Sequence, residues 1–132
     1  MIRVLLVDDH REYLHSFQRF LAFDADIKIV GTASNGQEAL DVVAATHPDV
    51  VVMDIRMPVL DGVATTRCLR MLHPSCHVLL LTTWSDDEYV LEGIRAGARG
   101  YKYKDASPRE VAAAIHAVAR GEPVGDPLAM EK

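Results

Sequence analysis

Four short hydrophobic runs in this sequence each end on a residue that can do chemistry. Residues 2–7 lead into Asp8 and Asp9, residues 50–53 into Asp54, residues 78–81 into Thr82, and residues 100–103 into Lys104. Open parallel α/β sheets bind ligands at the carboxyl ends of their strands. If these runs are neighbouring strands, three carboxylates, a hydroxyl and an amine converge on one pocket. An acid cluster answered by a single lysine suits a divalent cation and a phosphoryl group.

Asp8 and Asp9 are adjacent carboxylates, which repel each other unless a cation neutralises them. They offer oxygen donors only, and such donors favour Mg2+ over transition metals. A plainer role for either is to cap the following helix. Asp54 ends Val50-Val51-Val52-Met53, a run expected of a central strand buried on both faces. A buried carboxylate is costly unless it has a use. Accepting a phosphoryl group, as an aspartyl phosphate, is such a use. The alternative is a cap or loop aspartate. The Arg56 backbone carbonyl, two residues on, can supply a neutral metal ligand.

Met57-Pro58 fixes a turn close to Asp54, and Asp61 can cap the next helix. The Thr82 hydroxyl can donate to a phosphoryl oxygen, although threonine suits any strand. The Lys104 ammonium can pair with Asp54 and then with the phosphoryl group. Otherwise it is a solvated charge, as lysines usually are. Three carboxylates formally balance one Mg2+ and one lysine. The six histidines lie at 10, 15, 47, 73, 77 and 116 without metal-ligand spacing, and only His10 borders the pocket.

Positioning these residues requires an alternating β/α chain. Strands are expected near 2–7, 27–33, 49–54, 77–82 and 99–103, with helices near 11–23, 36–46, 61–72, 86–96 and 108–120. Such alternation implies a parallel sheet covered on both faces. Ser107-Pro108-Arg109-Glu110 is a capping box with proline at the first helical position. Ser85-Asp86-Asp87-Glu88 repeats that logic, and Asn35 with Glu38 is a weaker version. Val111, Ile115 and Val118 form the stripe of the last helix, which Gly121 ends. Beyond it, Glu122-Pro123-Val124-Gly125-Asp126-Pro127 cannot continue a helix and reads as a linker.

At 132 residues the chain is one domain with room for a real core. Its net charge of −5 argues against holding DNA or RNA by itself. Cys68 and Cys76 match no zinc or redox motif and are expected to be reduced thiols. No apolar run is long enough to span a bilayer, and Met1 leads directly into a strand rather than a leader. The expected location is a reducing cytoplasm.

Together these residues resemble the receiver domain of two-component response regulators. The resemblance covers about residues 2–120. It rests on Asp8-Asp9-His10, Asp54-Ile55-Arg56-Met57-Pro58 with Asp61-Gly62, Thr82, and residues 97–105 from Gly97 to Asp105, in that order. It implies a flavodoxin-like (βα)5 doubly wound parallel sheet of order 2-1-3-4-5. By the same resemblance Asp54 takes a phosphoryl group from a sensor histidine kinase. Asp9, Asp54 and the Arg56 carbonyl bind Mg2+, with Asp8 acting through water. Thr82 and Tyr101 form a switch pair, and Lys104 is the family's lysine. Such a domain is no turnover enzyme, and catalyses only its own phosphorylation and dephosphorylation.

Asp9-His10, Lys104-Asp105 and Gly121-Glu122-Pro123 look like receivers of the NarL/LuxR type. Those usually precede a helix-turn-helix DNA-binding domain. The expected organisation is a receiver over 1–120 and a linker-like tail over 121–132, leading to a DNA-binding domain absent from this chain. Phosphorylation would favour a homodimer, and DNA would be contacted only through that further domain. Two positions depart from the family pattern. Asp105 stands where many receivers carry proline, and Trp84 is bulky for its place two residues past Thr82. Two other readings compete. Haloacid dehalogenase-type phosphatases also use a strand-end aspartate, but place a second acid two residues later, where this chain has Arg56. A standalone receiver would act only through protein contacts.

Overall fold

Strands and helices alternate along the chain: β1 (Ile2–Val7), α1 (Arg11–Leu21), β2 (Ile27–Ala33), α2 (Gly36–Thr46), β3 (Val50–Asp54), α3 (Gly62–Leu72), β4 (His77–Thr82), α4 (Asp87–Ala96), β5 (Gly100–Tyr103) and α5 (Pro108–Ala119). The computed structural model describes residues 1–83 and 87–125. The expected cap at Ser85 and the bulky Trp84 lie outside the described residues. All strand pairs are parallel, and their order is β2-β1-β3-β4-β5, the flavodoxin-like arrangement.

Side chains alternate across a strand, and both faces of this sheet are covered. Leu5, Val7, Val51, Met53, Val78 and Leu80 pack into one apolar cluster with Val43, Val63 and Val90 of α2, α3 and α4. Val4, Leu6, Val50, Val52, Leu79 and Leu81 pack on the other face with Phe17 and Leu21 of α1 and the α5 stripe. Val111, Ile115 and Val118 are fully buried, as their spacing predicts. Counting on by twos puts Asp8, Asp54 and Lys104 on the α1/α5 side of the strand ends. The same count puts Thr82 and Tyr101 on the opposite side.

Local hydrogen bonds set the helix starts. Asn35 Oδ1 accepts from Glu38 N at 2.8 Å, Asp61 Oδ1 from Ala64 N at 2.8 Å, and Ser107 Oγ from Glu110 N at 3.1 Å. The start of α1 has no side-chain cap. α3 begins tight against the end of β3: Gly62 N donates to Ile55 O at 2.7 Å. A Cβ on Gly62 would lie 2.6 Å from the Asp54 carbonyl oxygen and 2.8 Å from Ile55 Cα. Only glycine lets this helix approach so closely, and that approach fixes the backbone carrying Asp54.

Asp61→Ala should cost about 1 kcal/mol in a urea titration, the ordinary price of a lost cap. Gly62→Ala should cost more than Asp61→Ala, because backbone atoms rather than a flexible side chain must move. Equal stability of Gly62→Ala and the parent would contradict this packing.

Candidate functional site

The strand-end acids converge as their sequence positions suggest. One ligand atom from each of Asp8, Asp9, His10 and Asp54 lies within 4.8 Å of the others. Asp8 and Asp54 are buried, while Asp9 is exposed. Lys104 Nζ bridges the buried pair, at 2.7 Å from Asp8 Oδ2 and 3.1 Å from Asp54 Oδ2. The contact to Asp54 is also a hydrogen bond. The shorter contact to Asp8 is an ion pair without hydrogen-bond geometry, so Asp8 Oδ2 is enclosed with no hydrogen bond. Asp8 Oδ1 accepts from His10 N at 2.8 Å, and His10 Nδ1 lies 2.9 Å from it. The same ring nitrogen lies 3.2 Å from Asp9 Oδ1.

Burial pushes the Asp54 carboxyl above its ordinary range, and nearby Asp8 adds to that. The Lys104 charge, its hydrogen bond and a backbone hydrogen bond from Arg56 act the other way without cancelling the rise. Burial by itself would lower Lys104, but its contacts with Asp8 and Asp54 outweigh that and hold the ammonium above its ordinary value. Lys104 is therefore a fixed cation and Asp54 an under-compensated carboxylate.

Tyr13 is a component that sequence reasoning missed. Lys104 Nζ stands 4.8 Å from the centre of the Tyr13 ring, which stacks on Phe17 at 5.9 Å. A cation over an aromatic face is attracted by about 0.5–2 kcal/mol. The i, i+4 spacing of Tyr13 and Phe17 marks the inner face of α1, but no sequence pattern links that face to a lysine ninety positions away.

Next to Asp9, a cavity of about 330 Å3 is lined by Ile55, Arg56, Met57, Pro58, Asp61 and Tyr89. The Arg56 guanidinium lies 5.0 Å over the Tyr89 ring. Val59 in this loop has φ of 70°, where a β-branched residue is strained by about 1–3 kcal/mol.

Thr82 is fully buried at the end of β4, but its hydroxyl donates to the Thr83 carbonyl at 3.2 Å rather than to the acid group. Tyr101 is almost buried, with its ring edge-on to Tyr103 at 5.9 Å. Cys68 and Cys76 are unpaired, and burial pushes the Cys76 thiol up to about 12. Among the described residues, no helix is long and apolar enough to cross a membrane.

The response regulator receiver domain profile matches residues 4–116 of this chain. The chain belongs to the response regulator receiver family. The uncharacterized transcriptional regulatory protein YxjL of Bacillus subtilis is 38% identical over 123 residues, covering 93% of this chain and 56% of its own length. The transcriptional regulatory protein LiaR of the same organism is 38% identical over 125 residues, covering 93% of this chain and 58% of its own. The signal receiver domain of the putative response regulator NarL from Mycobacterium tuberculosis superposes with a TM-score of 0.87 at 30% identity, covering 92% of this chain and 98% of that one. A LuxR-family response regulator from Aurantimonas sp. SI85-9A1 gives a TM-score of 0.90 at 30% identity, covering 99% and 94%.

The chain spans little more than half the length of the curated relatives it matches. Its homologues are NarL/LuxR-family transcriptional response regulators of two-component systems. Receiver domains are not classical enzymes, and they generally bind Mg2+. The donor set fits that ion: hard carboxylate oxygens of Asp8, Asp9 and Asp54 lie within 4.8 Å of one another.

Because the folded state raises the Asp54 pKa, the stability tied to this group is full below the ordinary carboxylate range. It is lost as pH rises through the raised value. In metal-free buffer at pH 7, Asp54→Asn should therefore be more stable than the parent, by on the order of 1 kcal/mol. Added Mg2+ should raise the parent's Tm more than the variant's. A variant less stable than the parent in EDTA would contradict the balance of charges described above.

Proposed function

We propose that this receiver accepts a phosphoryl group on Asp54 from a sensor histidine kinase and passes the change to a transcriptional output. The observation that carries the reading is the buried Asp54 carboxylate, pinned by Lys104 beside Asp8 and Asp9. Asp54 supplies an oxygen nucleophile to the phosphorus of a donor phosphohistidine. The phosphorus–nitrogen bond breaks, and the imidazole leaves with its electron pair and takes up a proton. Lys104 stays close to the new phosphoryl oxygens and offsets their charge. Mg2+ would be held by Asp9, Asp54 and the Arg56 backbone carbonyl, with Asp8 acting through water. Bound there, it would neutralise charge on the transferring group. Only self-phosphorylation and self-dephosphorylation are assigned to the domain.

Thr82 and Tyr101 act as the switch. A phosphoryl group adds charge and strong acceptors at Asp54. Thr82 then turns its hydroxyl away from the Thr83 carbonyl towards the phosphoryl group, and the space it leaves holds the Tyr101 ring in its inward position. The repacked face involves α4, β5 and α5, and favours a homodimer suited to paired DNA half-sites. Residues 1–120 are the phosphoacceptor unit, and 121–132 lead towards a helix-turn-helix domain that alone would contact DNA. The similarity to transcriptional regulators supports this over a standalone role. A cytoplasmic location fits this reading, since the sensor kinase presents its phosphohistidine there.

With Mg2+ and acetyl phosphate, the chain should gain one acid-stable, base-labile phosphoryl group by intact-mass analysis. Asp54→Ala should abolish it, and Lys104→Met should slow it by about 10²-fold or more, the usual range for a lost charge-stabilising donor. Full labelling of Asp54→Ala would rule out the assignment. Sedimentation velocity should show stronger self-association with beryllofluoride, a phosphoryl mimic, than without it. An unchanged monomer at high concentration would remove the dimer and leave the phosphorylation chemistry intact.

A further inference from the structure

The segment after α5 folds back onto the sheet. Gly121, at φ 82°, turns the chain out of the helix, and Glu122 N donates to Ala117 O at 3.0 Å. The Glu122 carboxylate pairs with Arg120. Val124 then lies beside β5 as a parallel bridge to Gly100. Tyr101 N donates to Val124 O at 3.0 Å, and Val124 N to Arg99 O at 3.4 Å. β5 is the outer strand of the sheet, so this strap covers an edge that would otherwise present unpaired amides.

Two glycines allow the fit. A Cβ on Gly100 would lie 2.5 Å from the Val124 carbonyl oxygen. Gly125, at φ 137°, rests on the Tyr101 ring, where a Cβ would lie 2.5 Å from Cε1 and 2.8 Å from Cδ1. Tyr101 is only 6% exposed, and its ring belongs to the cluster with Leu80, Met53 and Val90. The strap's backbone and the inward ring thus share one surface. Gly125 lies directly against the inward ring, so the docked strap and this ring position are in contact.

We propose that residues 122–125 are a docking strap for the β5 edge, coupled to the phosphoryl site through Tyr101. This rests on the assignment of Tyr101 and Thr82 as the switch pair. The docked strap requires Tyr101 to lie inward, and the inward ring is the partner of the phosphorylated site. Coupling between two sites is reciprocal. A docked strap therefore tightens binding of a phosphoryl mimic, and the mimic tightens the strap. The segment leading out of the receiver is in this way a sensor of its phosphorylation, held by backbone pairing rather than by a side-chain lock.

The Tyr101 amide reports the strap directly, because its partner is the Val124 carbonyl. Hydrogen exchange by NMR should show this amide protected in the full chain. Protection should rise about five- to tenfold when Mg2+ and beryllofluoride are added. Gly125→Val, which forces a Cβ into the Tyr101 ring, should remove the protection. It should also weaken beryllofluoride binding by the same factor, about 1–1.4 kcal/mol. If beryllofluoride perturbs the resonances around Asp54 but Tyr101 protection is unchanged or falls, the strap proposal is overturned and the phosphoacceptor reading stands. If beryllofluoride leaves the Asp54 surroundings unperturbed, the phosphoacceptor reading itself fails. The wild-type measurement needs no substitution, so a variant that fails to fold leaves the test in force.

Discussion

The strand-end site depends on one ammonium holding two buried carboxylates together. Lys104 reaches Asp8 and Asp54 at once, 2.7 and 3.1 Å from their nearer oxygens. Ion pairs of this kind are costly to desolvate, and removing one partner leaves a buried charge uncompensated. Here the pairing is also incomplete. Asp9 brings a third carboxylate, so the cluster keeps about two negative charges beyond what Lys104 supplies, and His10 offsets them only when protonated. A cluster kept short of positive charge is poor design for stability. It suits the seat for a divalent cation and a phosphoryl group that we propose.

The fold delivers that seat with few local devices. Parallel β1, β3 and β5 carry Asp8, Asp54 and Lys104 to the same end of one sheet, on one side of its alternation. The close approach of Gly62 to the Asp54 carbonyl fixes the backbone beneath the Asp54 side chain. The stack of Tyr13 on Phe17 places an aromatic face under the lysine. Thr82 and Tyr101 stand across the sheet, which separates the residues that hold charge from the pair assigned to report it.

Much of this was legible in the sequence because it follows from local rules. Strand runs ending on Asp8, Asp54, Thr82 and Lys104 predict convergence once the sheet is parallel, and the structure places the carboxylates and the lysine together. The caps at Asn35, Asp61 and Ser107 follow from residue type and spacing alone. What escaped depends on contacts between distant parts of the chain. Nothing near Tyr13 announces a lysine on its ring. Pro123 and Gly125 make residues 122–125 read as a linker, yet Val124 pairs with the outer edge of β5 as an isolated bridge. Turn-rich composition excludes a helix but does not exclude a short stretch that borrows the hydrogen bonds of a neighbouring strand.

The central claim is that the excess negative charge at these strand ends is organised around a single acceptor, Asp54. It is tested most directly by phosphorylating the chain with acetyl phosphate and Mg2+, reducing the product with borohydride, and mapping peptides by mass spectrometry. An acyl phosphate on aspartate is reduced to homoserine, which marks its position. The account predicts homoserine at residue 54 alone, formed only when Mg2+ is present. Homoserine at residue 8 or 9, or labelling independent of Mg2+, would contradict it.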